Sequence, residues 1–169
     1  MILEGRARVL GDDVNTDYII SSKRKRETID ASVLKHYLLE SIAPDFAGSV
    51  QPGDLIVAGA NFGCGSAMEV AATVIQAAGI RAVIARSFAR SFYRNAINNG
   101  LLAVQCETSA IEEGDRLSVR FMDGAATVHD LTRGNLVQAA PMPPIMLRIL
   151  EEGGLVGFLS KYGGFDGSA

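Results

Sequence analysis

Three short apolar runs, Leu55-Ile56-Val57-Ala58, Ala82-Val83-Ile84-Ala85 and Leu102-Ala103-Val104, constrain this chain more than any other feature. Each is too short for a core helix and too uniformly apolar for a strand with one wet face, so each reads as a parallel strand covered on both sides. The intervening segments are helical in pattern. Val70, Val74, Ala77 and Ala78 share a face that stops at Gly79, and residues 88–98 are closed by Gly100, glycine being favoured just past a helix C-terminus. The result is a β-α-β-α-β unit, right-handed by the rule for such crossovers.

Around this core the pattern changes. Ala7-Arg8-Val9-Leu10 reads as a strand, followed by the turn Gly11-Asp12-Asp13 and by Asn15-Thr16-Asp17, which leads into Tyr18-Ile19-Ile20. Residues 21–27 are polar throughout and carry four consecutive cations, Lys23, Arg24, Lys25 and Arg26, so a surface loop is expected there. A helix capped by Asp30 should follow, with Val33, Leu34, Tyr37 and Leu38 facing the core. After Cys106, residues 116–121 and 126–131 alternate as strands do, joined through Asp123-Gly124 as a hairpin. Pro141-Met142-Pro143-Pro144 opens a helix with Ile145, Met146, Ile149 and Leu150 on its apolar face, up to Gly153-Gly154. A second short helix spans residues 156–162, and a Gly-rich tail from about residue 163 is expected to fray.

With 169 residues, 48% of them hydrophobic, one α/β domain spanning residues 1–169 around one core is the expectation. Such a domain needs no disulfide or structural metal. The formal net charge of −3 gives no general attraction to nucleic acid or to an anionic membrane. Cys64 and Cys106 are too few and too far apart to ligate zinc or an iron–sulfur cluster, so no metal site is expected in this chain. Free thiols suit a reducing cytoplasm. Residues 1–6 lack the basic and apolar succession of a secretory signal, and no apolar run approaches the roughly 20 residues of a membrane span; a cytoplasmic location is expected.

Ligands of open parallel sheets bind beyond the carboxyl ends of the strands. The run ending at Ala58-Gly59 leads directly into Ala60-Asn61-Phe62-Gly63-Cys64-Gly65-Ser66, the first candidate site. Gly63 and Gly65 allow positive φ and close approach to a ligand, and a helix beginning near Ser66 would offer N–H groups and a positive dipole end to an anion. A structural reading competes: Ser66-Ala67-Met68-Glu69 also fits a capping box. The glycines match neither a dinucleotide fingerprint nor a P-loop. Cys64 beside a helix N-terminus suggests a nucleophile and hence a cysteine hydrolase, but neither His36, on a helical segment, nor His129, on a hairpin strand, is an evident partner base.

Four blocks carry a more specific resemblance: residues 11–17 (GDDVNTD), 53–59 (GDLIVAG), 61–66 (NFGCGS) and 87–98 (SFARSFYRNAIN). In order and spacing, from about Ala7 to Tyr162, the chain resembles the small subunits of 3-isopropylmalate dehydratase, of the aconitase superfamily. The resemblance implies an aconitase-type swivelling β/β/α domain with a parallel β-α-β-α-β core and an added antiparallel hairpin. It implies a large partner subunit carrying a four-iron four-sulfur cluster, no cofactor on this chain, and a small carboxylic acid as substrate in leucine biosynthesis. Ser66 matches the family's proton-abstracting serine and Asp17 an aspartate of its active-site cleft, with Gly63, Cys64, Gly65 and Ala67 lining the substrate.

Two departures stand out. The family's arginine after the serine, which grips a substrate carboxylate, is replaced in the stretch Ala67-Met68-Glu69-Val70, and Met68 has no such donors. The family's Pro-x-Arg-Tyr-Leu segment is replaced by residues 21–26. One or more of Lys23, Arg24, Lys25 and Arg26 is therefore expected to bind the carboxylate. The alternatives are a hydro-lyase subunit for another substituted malate or a homoaconitate-type acid, and a non-catalytic partner-binding domain.

Overall fold

The computed structural model describes residues 1–165; the rest of the expected tail lies outside the described residues. In chain order the elements are β1 (Ile2–Val9), α1 (Thr16–Ile19), α2 (Ser22–Glu27), α3 (Ala31–Leu34), a 3-10 turn (Lys35–Tyr37), α4 (Phe46–Ser49), β2 (Leu55–Ala58), α5 (Glu69–Ala77), β3 (Ala82–Ala85), α6 (Arg90–Asn98), β4 (Leu102–Gln105), β5 (Arg116–Met122), β6 (Ala125–Asp130), β7 (Leu136–Ala139), α7 (Pro144–Glu151) and α8 (Leu155–Tyr162). Gly79 and Gly100 take φ of +94° and +80° at the ends of α5 and α6, as the sequence requires.

One seven-stranded sheet, in the order β4-β3-β2-β1-β5-β6-β7, holds every strand among the described residues. β2, β3 and β4 are parallel, the expected β-α-β-α-β core. β1 joins the two halves: its residues 7–9 pair parallel with β2 and its residues 2–6 pair antiparallel with β5. The β5–β6 hairpin turns through Asp123 and Gly124, both at positive φ, the geometry a two-residue turn needs to match strand twist. It thus continues the same sheet, and β7, which was not anticipated, extends it. The outer strands approach each other, with Ala140 N–H donating to the Gln105 carbonyl at 2.8 Å.

The parallel strands β2, β3 and β4 are buried on both faces, so their consecutive residues supply opposite cores. Ile56 and Ala58 of β2 pack with Leu34, Leu38, Phe62, Ile75 and Phe92, while Leu55 and Val57 pack with Leu117, Val119, Ile149 and Phe158. The expectation of one core is corrected to two, divided by the sheet. Among the described residues no helix is long and apolar enough to cross a membrane.

Three local expectations are also corrected. Of the expected loop 21–27, residues 22–27 instead form α2, because the Ser21 hydroxyl accepts from the Arg24 N–H at 3.4 Å and Arg24 is anchored to Glu40. α3 is capped by Asp30 as expected, but it tightens into the 3-10 turn, which buries Leu34 and Leu38 and leaves Val33 exposed. α5 begins three residues after Ser66, with Met68 at its N-cap in extended conformation and no side-chain cap; the capping box does not form.

Candidate active site

The loops following β1, β2 and β3 meet at the carboxyl end of the parallel strands, and hydrogen bonds lace the central loop, residues 59–68, to both neighbours. On one side Gly59 N–H donates to the Gly11 carbonyl at 3.1 Å, Ala60 N–H to the Asp12 carboxylate at 2.7 Å and Gly63 N–H to the Val14 carbonyl at 2.8 Å. On the other side Asn61 N–H donates to the Ser87 hydroxyl at 2.8 Å and Phe62 N–H to the Ser87 carbonyl at 3.0 Å. Phe62 anchors the middle, buried edge-on against Phe88 and Phe92 with ring centroids 6.1 and 5.0 Å away. Asp12 also accepts from Arg86 at 2.6 Å; the Ala60 N–H and then Arg86 hold its carboxyl below the usual range.

The backbone path explains the glycines. Gly63 and Gly65 have φ of +79° and +92°, and a Cβ at Gly63 would overlap the Phe92 side chain. Gly63→Ala should therefore lower stability by roughly 2–4 kcal/mol, combining left-handed strain with overpacking. Urea unfolding checks this, together with a loss of activity per folded molecule as the loop shifts.

Ser66 is exposed and among the described residues its hydroxyl has no hydrogen-bond partner, while its carbonyl accepts from the Thr16 hydroxyl at 2.9 Å. Among the described residues, the backbone N–H groups of Gly65, Ser66, Ala67 and Met68 donate to no acceptor. What this position presents is thus four unpaired amides and not a helix N-terminus. The dipole of α5 contributes little, because its influence fades within the first turn, which here carries Glu69.

Asp17 sits beside this segment. Asn15 caps α1 by accepting from the Asp17 N–H at 2.8 Å, and the Asp17 carboxylate accepts from the Ser22 hydroxyl at 2.9 Å and from Lys25 Nζ at 3.2 Å. Ser22 first, then Lys25, hold its carboxyl below the usual range. Lys25 Nζ also contacts Met68 Sδ. Two elements distant in sequence are thereby joined: Gly63, Cys64, Gly65, Ser66 and Ala67 on one side, Asp17 and Lys25 on the other. Arg24 points elsewhere, gripping Glu40 through Nε and Nη2 at 3.0 and 3.1 Å and lying 3.7 Å over the Tyr37 ring. Lys23 and Arg26 are exposed and form no ion pair among the described residues.

Thr16, which fixes the Ser66 carbonyl, was missed in sequence; its burial beside an Asx cap becomes visible only when the loops meet. Among the described residues Cys64 Sγ has no hydrogen-bonded base, and burial first, with Glu107 adding to it, pushes the Cys106 thiol up to about 11. Among the described residues no group of three metal-ligating side chains occurs. A cavity of about 740 Å3 bordered by Arg8, Phe46, Ser49 and Glu113 shares no residue with this site, and its Arg8 is bonded to Glu113 and Ser49.

Residues 24–109 match the aconitase C-terminal domain family. The chain is 44% identical over 163 residues to a protein named 3-isopropylmalate dehydratase small subunit 2 from Archaeoglobus fulgidus, covering 96% of this chain and 98% of the relative. It is 46% identical over 164 residues to one named 3-isopropylmalate dehydratase small subunit 1 from Methanopyrus kandleri, covering 96% and 95%. A crystal structure of a 3-isopropylmalate dehydratase from Methanocaldococcus jannaschii superposes with a TM-score of 0.89 at 41% identity, covering 95% of each chain.

Proposed function

The chain belongs to the aconitase C-terminal domain family, among the small subunits of 3-isopropylmalate dehydratase, and from this premise we propose that Ser66 is its proton-abstracting base, acting on a 2-hydroxy dicarboxylate in leucine biosynthesis. The observation that carries the reading is the solvent-facing Ser66 hydroxyl set in a run of four backbone N–H groups without acceptors.

The reaction removes water from one pair of neighbouring carbons and returns it with the opposite orientation. In the first half a C–H bond breaks, its proton goes to the Ser66 alkoxide, its electron pair becomes the double bond, and the neighbouring C–O bond breaks, the hydroxyl leaving with its bonding pair and taking up a solvent proton to become water. A serine hydroxyl is a weak base at its ordinary acidity, so its alkoxide must be stabilised. The open amides of residues 65–68 suit that task, being fixed donors that need no reorganisation when charge appears. In the second half water adds the other way round: its oxygen bonds to the carbon that lost hydrogen and its spare proton passes to solvent, while the double-bond pair takes the Ser66 proton at the carbon that lost the hydroxyl, restoring the alkoxide.

The family's four-iron four-sulfur cluster, brought by a large subunit, supplies the Lewis acid for the departing hydroxyl. This chain suits the complementary role, since the site lies open at the surface where a second chain can close it. Residues 1–169 act in this reading as one domain in the cytoplasm. Gly63, Cys64, Gly65 and Ala67 line the substrate, Asp17 borders it, and of the α2 cations Lys25 is the one turned toward it. Met68 favours a second reading within the same chemistry, in which another substituted malate or a homoaconitate-type acid is the substrate.

Reconstitution with the large subunit tests the proposal. The pair should dehydrate 3-isopropylmalate, followed by the absorbance of the new double bond, whereas either subunit alone should be inactive. Turnover confined to a different substituted malate would select the second reading. No turnover by the assembled pair across the panel would reject both and leave a partner-binding domain.

A further inference from the structure

The four cations of α2 are not equivalent. Arg24 is committed to Glu40, while Lys23 and Arg26 project into solvent. Lys25 alone turns toward the loop of Ser66, its side chain only 17% exposed and its ammonium between Asp17 and Met68.

An ammonium has three donors and no acceptor. Asp17 takes one at 3.2 Å, and the Met68 thioether is a weak acceptor that carries no charge, so donor capacity remains. Met68 lies two residues from Ser66, next to the open amides of residues 65–68. One corner of the site thus brings together the Lys25 ammonium, the Asp17 carboxylate and the unpaired backbone N–H groups of residues 65–68. A cation at position 68 would repel Lys25 from this place, whereas an unbranched neutral side chain gives it a seat.

We infer that Lys25 receives a carboxylate of the substrate, exchanging it for Asp17, and that Met68 is the neutral seat that makes this placement possible. Position 25, not position 68, therefore sets the demand for a carboxylate there. In the absence of substrate Asp17 stands in for that carboxylate and keeps the ammonium aimed at the site. This rests on the proposed dehydratase reading.

The test uses the reconstituted two-subunit enzyme with 3-isopropylmalate as probe. Lys25→Met should raise KM about 10–100-fold with kcat within about threefold, since loss of binding common to ground and transition states appears in KM. Lys25→Arg should restore KM to within a few-fold. The double variant Lys25→Met/Met68→Arg, which moves the cation from α2 to the other side of the contact, should recover most of the lost affinity. If Lys25→Met misfolds, Lys25→Gln gives the same reading. An unchanged KM overturns the inference, as does a loss of activity that follows loss of assembly with the large subunit. Ser66→Ala in the same assembly separates the two levels: if it is inactive while Lys25→Met keeps its KM, only the carboxylate assignment falls; if it remains active, the dehydratase reading of Ser66 falls.

Discussion

Ser66→Ala in the reconstituted enzyme should lower kcat by about 10²–10⁴-fold, the usual contribution of a positioned general base, with KM and folding stability almost unchanged. The two halves of this expectation have separate origins. The rate falls because the C–H proton no longer has an acceptor between the open amides of residues 65–68. Stability holds because the hydroxyl is exposed, bonds to nothing and caps no helix, α5 starting only at Glu69. Had Ser66 been an N-cap, the same substitution would cost about 1 kcal/mol. Initial rates and urea midpoints measured on one preparation distinguish the roles. A variant that keeps wild-type kcat removes Ser66 from the chemistry, and one that loses stability and rate together assigns it to the scaffold.

The parallel strands could be read from sequence because burial on both faces writes itself as uninterrupted apolar tetrapeptides, and Gly79, Gly100 and Asp123-Gly124 marked the places where φ had to be positive. What escaped depends on pairing at a distance. β7 is four residues long with Leu136 and Gln138 exposed, so its alternation is weak, and it exists because β6 offers an edge. α2 has no apolar periodicity; its six residues are held by the Ser21 cap and by the Arg24–Glu40 pair, 16 positions apart. Around Ser66 the local pattern misled. The sequence Ser66-Ala67-Met68-Glu69 has capping-box spacing, but Gly65 at positive φ and Thr16 on the Ser66 carbonyl draw the backbone outward before a helix can start. The loop and its catalytic candidate were legible; the partnership of Asp17, Lys25 and Met68 was not, since 43 positions separate the lysine from the thioether.

Asp54→Ala should destabilise the domain by about 3–5 kcal/mol, the penalty for breaking a buried ion pair and leaving its partner charged. Asp54 is buried at the start of β2 and accepts from Arg6 Nη2 at 2.7 Å and Nε at 3.1 Å, from Arg8 Nη1 at 3.4 Å and from Gln51 N–H at 2.9 Å. Arg8 is also buried, lying 4.6 Å over the Phe46 ring, and Glu113 and Ser49 satisfy only part of its fork. Burial pushes the Asp54 carboxyl up, but the Arg6 hydrogen bond, the Gln51 N–H, the Arg6 charge and the Arg8 hydrogen bond outweigh it and hold the carboxyl below its ordinary range. A depressed folded-state value means that the pair's stabilisation is present above about pH 4, where the unfolded carboxyl is also ionised, and is lost as pH falls through the lower folded value. Urea unfolding from pH 7 downward should therefore show the wild type losing stability in acid more steeply than Asp54→Asn, which has no proton to gain there. Since Asp54 sits at the end of β2 opposite the loop of Ser66, each folded molecule of either variant should retain normal kcat. A midpoint within about 1 kcal/mol of wild type for Asp54→Ala would mean that water or Glu113 replaces the carboxylate, and a fall in kcat per folded molecule would mean that strain in β2 reaches the site.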